Sequence, residues 1–530
     1  MQIKDKNILF SPSDLITFLN SNFASHMERS FLEDQSCFDL MDPKDPMLQN
    51  LQNKGYQHES DFLTSLIEEG KNLLEIKNTK YELMVSQTKA AMSSGVDVIA
   101  QACLQLENFI GIADFLVKVP RKSNLGEYQY EVWDTKLSKK MKPYFAIQLC
   151  CYAEMLEKYQ GLKPQKLAIV LGNKKIIHIK TDDYFSYYSM LKSSFVSFHD
   201  NWDKNKLPDP AESKFHGRWS QYAKQILEKR RHLSLIANIT QTQVKRLESA
   251  GIFTIDEVAN IGLRSVPKIS DDILDRLKSQ AEMQISSENK DSPSYRVLPH
   301  NTERNLGLSL LPPHSNSDIF FDIEGFPHVE GGLEYLWGAT FFDQKGERQF
   351  KDFWGHNPEQ EKQAFLGFID WAFSLWKKDP TMHIYHYGSY EVTALRRLMG
   401  SNGIREYEVD TLLRNEVFVD LYNIVRHSVI IGEPSYSIKN VEHIYRDNRQ
   451  TKVSSGGDSI LIYEEWRNNH DGLTWQKSKI LKAIRDYNID DCNSTQELTE
   501  WLRSEQKSHE IFFFKTDTKE LKEEIFEKEK

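Results

Sequence analysis

Residues 291–317 carry the feature that constrains this chain most. The stretch is rich in Ser, Pro, Asn and His and includes Pro312-Pro313, so it supplies turn formers without the periodic apolar positions of a helix or strand. On both sides of it, helical and strand patterns alternate over lengths sufficient for a hydrophobic core. A chain of 530 residues also exceeds what one core organises. The expectation is an α/β protein in several domains. Residues 1–205 form one α/β unit, 206–290 a helical connector, 291–317 a linker, 318–505 a second α/β unit and 506–530 a charged tail.

In the first unit, Asp14 to Leu19 has helical periodicity behind Ser11 or Ser13 as a cap. Tyr128, Tyr130 and Val132 alternate with polar neighbours, and Lys166 to Leu171 is an apolar run; both are strand patterns. In the connector, Gly251 closes a helix that contains Val244 to Ser249, and the next helix starts near Thr254. The second unit opens on a strand at Asp318 to Asp322, with further strands at Tyr335 to Phe342 and His383 to Tyr387. Helices are expected at Glu361 to Lys377, Glu391 to Met399 and Lys479 to Leu502. The final Lys- and Glu-rich residues read as a solvated helix or tail.

Composition narrows the class. Hydrophobic residues at 39% with 27% charged residues are those of a globular protein. The longest apolar runs fall far short of the roughly 18 residues that cross a bilayer, and Met1 to Lys6 alternate charge where an export signal is apolar. The expectation is a cytoplasmic protein with no membrane partner. The five cysteines form no CxxC pair, so neither a disulfide framework nor a zinc ribbon is indicated. A net charge of −10 argues against whole-surface attraction to nucleic acid and leaves local basic patches to do that work. Two candidates are Lys136, Lys139, Lys140 and Lys142, and Lys224, Lys229, Arg230 and Arg231.

The chemistry-bearing residues begin with Asp322-Ile323-Glu324, at the end of an apolar strand. Strand residues at i and i+2 share a face, so these carboxylates can hold a divalent cation together. Glu391 follows a strand at the start of a helix, in His386-Tyr387-Gly388-Ser389-Tyr390-Glu391, and Tyr487 and Asp491 stand at i and i+4 on one helical face. This order resembles the RNase H-like 3′-5′ exonucleases of the DEDD type, in the subclass with a tyrosine in the last motif, and the bacterial family with an H-Y-x-x-Y-E variant. The resemblance implies that Asp322, Glu324, Glu391 and Asp491 bind Mg²⁺ or Mn²⁺ and that Tyr487 positions the attacking water. His386 and Glu391 replace the Asn and Asp of standard members, which makes His386 a supporting residue. Asp490 is expected to face solvent.

A second ordered set lies in the first unit: His58 on a helix, Asp114 in Gly111-Ile112-Ala113-Asp114 at a turn or strand start, Asp134-Thr135-Lys136 on a strand, and Gln148 and Tyr152 one helical turn apart. It resembles the RecB-like branch of the PD-(D/E)XK nucleases, with a restriction-endonuclease-like fold. The resemblance implies His58, Asp114 and Asp134 as metal ligands, Lys136 as the catalytic cation, and Gln148 and Tyr152 as substrate-side or structural supports. Relatives with an iron-sulfur cluster need four cysteines around this set; only Cys37 and Cys492 occupy such places, so no cluster is expected. Gln243 to Ala259 is similar to helical hairpins that grip DNA backbone at a glycine turn, or is a spacer.

Uncharacterised bacterial RecB-like nucleases share this tandem order. The resemblance therefore implies a metal-dependent deoxyribonuclease and exonuclease acting in DNA repair or defence against foreign DNA. Alternatives are a nucleic-acid-binding scaffold with inactive sites, or an RNase. The sequence lacks a G-x-x-x-x-G-K-[ST] phosphate loop, so any helicase or ATPase would be a separate partner.

Overall fold

The computed structural model describes residues 1–514 except 5–6, 78–79, 263–264, 300–305, 330 and 448–455. The expected tail beyond residue 514 and part of the expected linker lie outside the described residues. The chain divides into two compact units, Met1–Arg230 and Arg231–Lys530. This division falls inside the segment read as a connector. No described helix is long and apolar enough to cross a membrane.

The first unit runs β1 (Gln2–Lys4), β2 (Asn7–Leu9), α1 (Pro12–Asn20), α2 (Asn22–Glu33), α3 (Pro46–Glu68), β3 (Leu73–Glu75), α4 (Tyr81–Ser93), β4 (Val98–Leu106), β5 (Phe109–Val119), β6 (Gln129–Lys136), α5 (Pro143–Gln160), β7 (Lys166–Leu171), β8 (Ile176–Lys180), α6 (Asp182–Asp200) and α7 (Ser220–Lys229). Ser11 caps α1 in a capping box with Asp14, which stabilises the helix start through two otherwise unpaired backbone donors. Strands β3 to β8 form one mixed sheet in sequence order, with parallel pairs β3–β4 and β6–β7. One face packs Leu104, Ile169 and Leu171 against α5 and α6 residues such as Leu149, Met155 and Phe195. The other carries Val98, Ala100 and Phe115 against Leu66 and Phe62 of α3. Helix α7 belongs here because Trp219 and Ala223 pack on Phe23 and Met27 of α2.

The second unit begins with a helical module, α8 (Gln241–Ser249), α9 (Ile255–Ala259) and α10 (Asp271–Ser287), with Val244, Leu247, Ile255, Leu274 and Leu277 in its own core. Gly251 adopts φ 76° after α8, the left-handed turn expected there. Next come β9 (Tyr295–Val297), β10 (Ile319–Phe326), β11 (Leu333–Phe342), β12 (Arg348–Trp354), α11 (Pro358–Lys378), β13 (Ile384–His386), α12 (Tyr390–Asn402), α13 (Glu406–Arg414), β14 (Phe418–Asp420), α14 (Leu421–Ser428), β15 (Val429–Ile431), α15 (Ile438–Val441), α16 (Gly456–Asn469) and α17 (Lys479–Ser508). Within the stretch read as a linker, Tyr295–Val297 pairs with β15.

The main sheet has the order β12-β11-β10-β13-β14. The pairs β10–β11 and β11–β12 are antiparallel, and β13 and β14 run parallel to β10. The period-2 alternation of β10 decides what each face does. Ile319, Phe321 and Ile323 pack with Phe365, Phe368 and Ile369 of α11. Phe320 packs with Leu498 and Leu502 of α17, so Asp322 and Glu324 share the α17 face.

Candidate metal centre

Asp322 and Glu324 meet Asp491 from α17, and one carboxylate oxygen of each lies within 4.8 Å of the others. Among the described residues this is the one such group of three His, Cys, Asp or Glu ligands. Asn488, fully buried on α17, donates from Nδ2 to Asp322 Oδ2 at 2.7 Å and reaches Glu324 Oε1 at 3.5 Å. Ser459 Oγ on α16 donates to Glu324 Oε2 at 2.8 Å. Gly338 on β11 makes room for this arrangement, since a Cβ there would overlap Asn488 Oδ1.

Burial and the neighbouring carboxylates Asp491, Glu324 and Glu391 raise Asp322 well above the usual carboxylate range. Glu324 rises through burial and the charge of Asp491, against the hydrogen bonds from Ser459 and Asn488. This donor set fits a hard divalent cation: three carboxylates converge, and the neutral donors Asn488 and Ser459 do not cancel their mutual repulsion. Tyr487 stands one turn before Asp491, and its hydroxyl hydrogen-bonds that carboxylate; burial, then the charge of Asp491, raises it far above the usual phenol range. Lys439 Nζ lies 5.2 Å from the centre of the Tyr487 ring, and its charge acts to lower Glu324.

Glu391 was expected as a fourth ligand, but it stands beside the three rather than among them. Its Oε2 lies 3.3 Å from His386 Nδ1, with both side chains buried, while its charge still reaches Asp322. Asp490 does not face solvent as expected. Its Oδ1 accepts from Arg446 Nη2 at 2.6 Å.

In the first unit, Gly111 to Asp114 lie inside β5 rather than at a turn or strand start. Asp114 Oδ2 accepts from both the backbone N–H and the hydroxyl of Thr135 at 2.8 Å. Lys136 Nζ lies 2.6 Å from Asp134 Oδ2. Burial and the charge of Asp114 push Asp134 up to about 7, against Lys136. Burial acts to lower Lys136, but the Asp134 carboxylate carries it above its ordinary value. Sequence reasoning missed Glu59, the neighbour of His58. Burial and the charge of Asp114 push it up to about 7, and Gln101 donates to it.

Gln101 holds φ 55°, and the pair it would make with Asp114 is absent from a β4–β5 register that is otherwise unbroken. A left-handed non-glycine residue in a strand is strained, and such strain collects at functional sites. His58 Nε2 lies 3.3 Å from the Val170 carbonyl. With Asp114 and Asp134 it does not form a close ligand trio among the described residues. Gln148 is half-buried on α5, whereas Tyr152 donates to the Ile112 carbonyl at 2.7 Å and packs over Gly111, where a Cβ would lie 2.8 Å from its ring. The second basic patch is partly neutralised: Arg231 pairs with Asp256 and Glu288, Arg230 with Asp209 and Lys224 with Glu228.

The class of this centre follows from its sheet and its carboxylates. A family model described as the RNase H superfamily matches residues 319–503. The C-terminal part of the chain is thus an RNase H superfamily domain with a buried acidic triad. No curated protein matches the chain.

Proposed function

We propose that this chain is a metal-dependent nuclease that hydrolyses DNA phosphodiester bonds, with 3′-5′ exonuclease action in its RNase H domain. The observation that carries the reading is the convergence of Asp322, Glu324 and Asp491 within 4.8 Å, with Tyr487 hydrogen-bonded to Asp491. These three carboxylates would hold Mg²⁺ or Mn²⁺, and Glu391 would supply negative charge beside them. When bound, the cation supplies water activation and neutralisation of the leaving oxygen. Within that site, Asn488 and Ser459 fix the orientation of Asp322 and Glu324, and Tyr487 Oη, held on Asp491, orients the attacking water.

In the first unit, a RecB-like PD-(D/E)XK site is a second proposal. It is supported by the Asp134–Lys136 pair on β6 and by the mutual electrostatic influence of Asp114, Asp134 and Glu59. Such a chain would serve DNA repair or defence against foreign DNA alongside a separate helicase. Degradation of end-labelled single- and double-stranded DNA and RNA with Mn²⁺ tests both sites. Wild type, Asp134→Ala, Asp322→Ala and the double variant are compared, and the double variant is expected to be inactive. Full activity of the double variant sinks the two-site reading. Failure of the wild type to cut any substrate favours a binding scaffold.

A further inference from the structure

We infer that a groove in the second unit is a subsite for the backbone of single-stranded nucleic acid, lined jointly by the RNase H domain and the helical module; this rests on the nuclease reading of the carboxylate site. The groove has a volume of about 680 Å³, and its lining includes Asn238, Tyr387, Ser389, Tyr422, Arg426 and Ile438. That volume lies in the range of sites for small ligands, about 300–1,000 Å³. Its lining adjoins residues of the carboxylate site along the chain. Ser389 is two residues from Glu391, and Ile438 precedes Lys439, whose ammonium lies over the Tyr487 ring.

Its chemistry suits an anionic strand. Arg426 is exposed at the end of α14, and its guanidinium has no partner among the described residues. The groove's one carboxylate, Asp420, is occupied internally, accepting from the backbone N–H of Gly388 and of Tyr422 at 2.9 Å each. Tyr387 and Tyr422 meet edge to face at 5.7 Å, and Tyr387 is fixed by its hydroxyl on the Tyr436 carbonyl at 2.6 Å. Aromatic faces beside an uncommitted cation are the means by which proteins bind single strands without reading sequence.

The helical module is tied to the rest of the second unit here. Gln280 of α10 donates to the Ile431 carbonyl at 2.9 Å and accepts from the Tyr436 hydroxyl at 2.8 Å. Ala237 packs into the same core as Leu421 and Ile424. Next to it, exposed Asn238 adopts φ 63°, a left-handed conformation that Asn and Asp tolerate, and lines the groove.

The test measures binding of labelled single-stranded DNA, single-stranded RNA of the same sequence, and duplex DNA by fluorescence anisotropy in EDTA. The full chain is used as wild type, Arg426→Ala and Asn238→Asp, with KM and kcat then measured in Mn²⁺. Arg426→Ala is expected to weaken single-strand binding whatever the sequence and to lower the slope of log K against log salt by about 0.7. Asn238→Asp keeps the backbone conformation and is expected to weaken binding roughly two- to fivefold. Both losses are expected in KM rather than kcat. Equal losses on DNA and RNA support backbone recognition. If wild type cuts but neither variant alters affinity or salt slope, or if losses appear only with duplex, the groove inference is overturned and the nuclease reading stands. If wild type neither binds nor cuts any of these strands, both fail.

Discussion

Replacing Asp322 by Asn retains the shape of the side chain and an acceptor for Asn488 Nδ2, yet removes one of three converging charges. Two unit charges at the 4.8 Å limit that separates these oxygens repel by about 3 kcal/mol at an effective dielectric near 20. Because burial and its neighbours raise Asp322, its proton is retained at low pH in the metal-free protein and must leave as pH rises. A carboxyl whose folded pKa exceeds its unfolded one favours folding at low pH, and that advantage disappears as pH climbs through the folded value. Metal-free wild type is therefore expected to lose stability as pH rises above the ordinary aspartate range, while Asp322→Asn escapes this share of the loss. The difference, variant minus wild type, is expected to be near zero at about pH 3, where the unfolded carboxyl is protonated too, and to grow by about 3 kcal/mol as pH climbs from the unfolded to the folded value. Urea unfolding followed by circular dichroism in EDTA measures it. Repeating the series with Mn²⁺ at about a hundredfold its Kd should stabilise wild type by about 2.7 kcal/mol and the variant far less. A difference that does not change with pH, or equal Mn²⁺ stabilisation of both proteins, would refute the electrostatic reasoning.

Three further outcomes follow from individual contacts. Asn488→Ala removes a buried donor to two carboxylates and is expected to cost about 1.5–3 kcal/mol in metal-free protein, read by the same unfolding assay, with Mn²⁺ recovering part of the loss. Gly111→Ala drives a methyl into Pro12 and the Tyr152 ring. It should cost about 1–3 kcal/mol, and a double-mutant cycle should show a smaller loss when Tyr152 is replaced by Leu. Lys136→Met removes the cation that opposes the rise of Asp134. In an Asp322→Asn background, the acid limb of any remaining cleavage should then move to higher pH, as a pH–rate profile would show.

What the sequence revealed and what it hid divide along the range of the interactions. Asp322, Glu324, Tyr487 and Asp491 could be placed because each relation is local: period 2 on β10, one turn on α17. Local periodicity also marked β7, β11 and α11. Asn488 escaped notice although it sits between two recognised residues, because its role depends on Gly338, 150 positions earlier, leaving it room. Asp490 was misread for the same kind of reason. Its partner Arg446 approaches from another segment. Glu59 stood next to the residue singled out, but which member of a His-Glu pair turns toward Asp114 is set by how α3 lies on β4 and β5. The boundary near residue 230 was hidden because the apolar contact of Trp219 and Ala223 is with Phe23 and Met27. Composition alone cannot show such a pairing.

The most direct measurement is a crystal of the full chain soaked in Mn²⁺ and examined by anomalous scattering. The expected result is a manganese peak coordinated by carboxylate oxygens of Asp322, Glu324 and Asp491. No peak there, at a Mn²⁺ concentration that supports full cleavage of a single-stranded end, would contradict the assignment of this centre as the nuclease site.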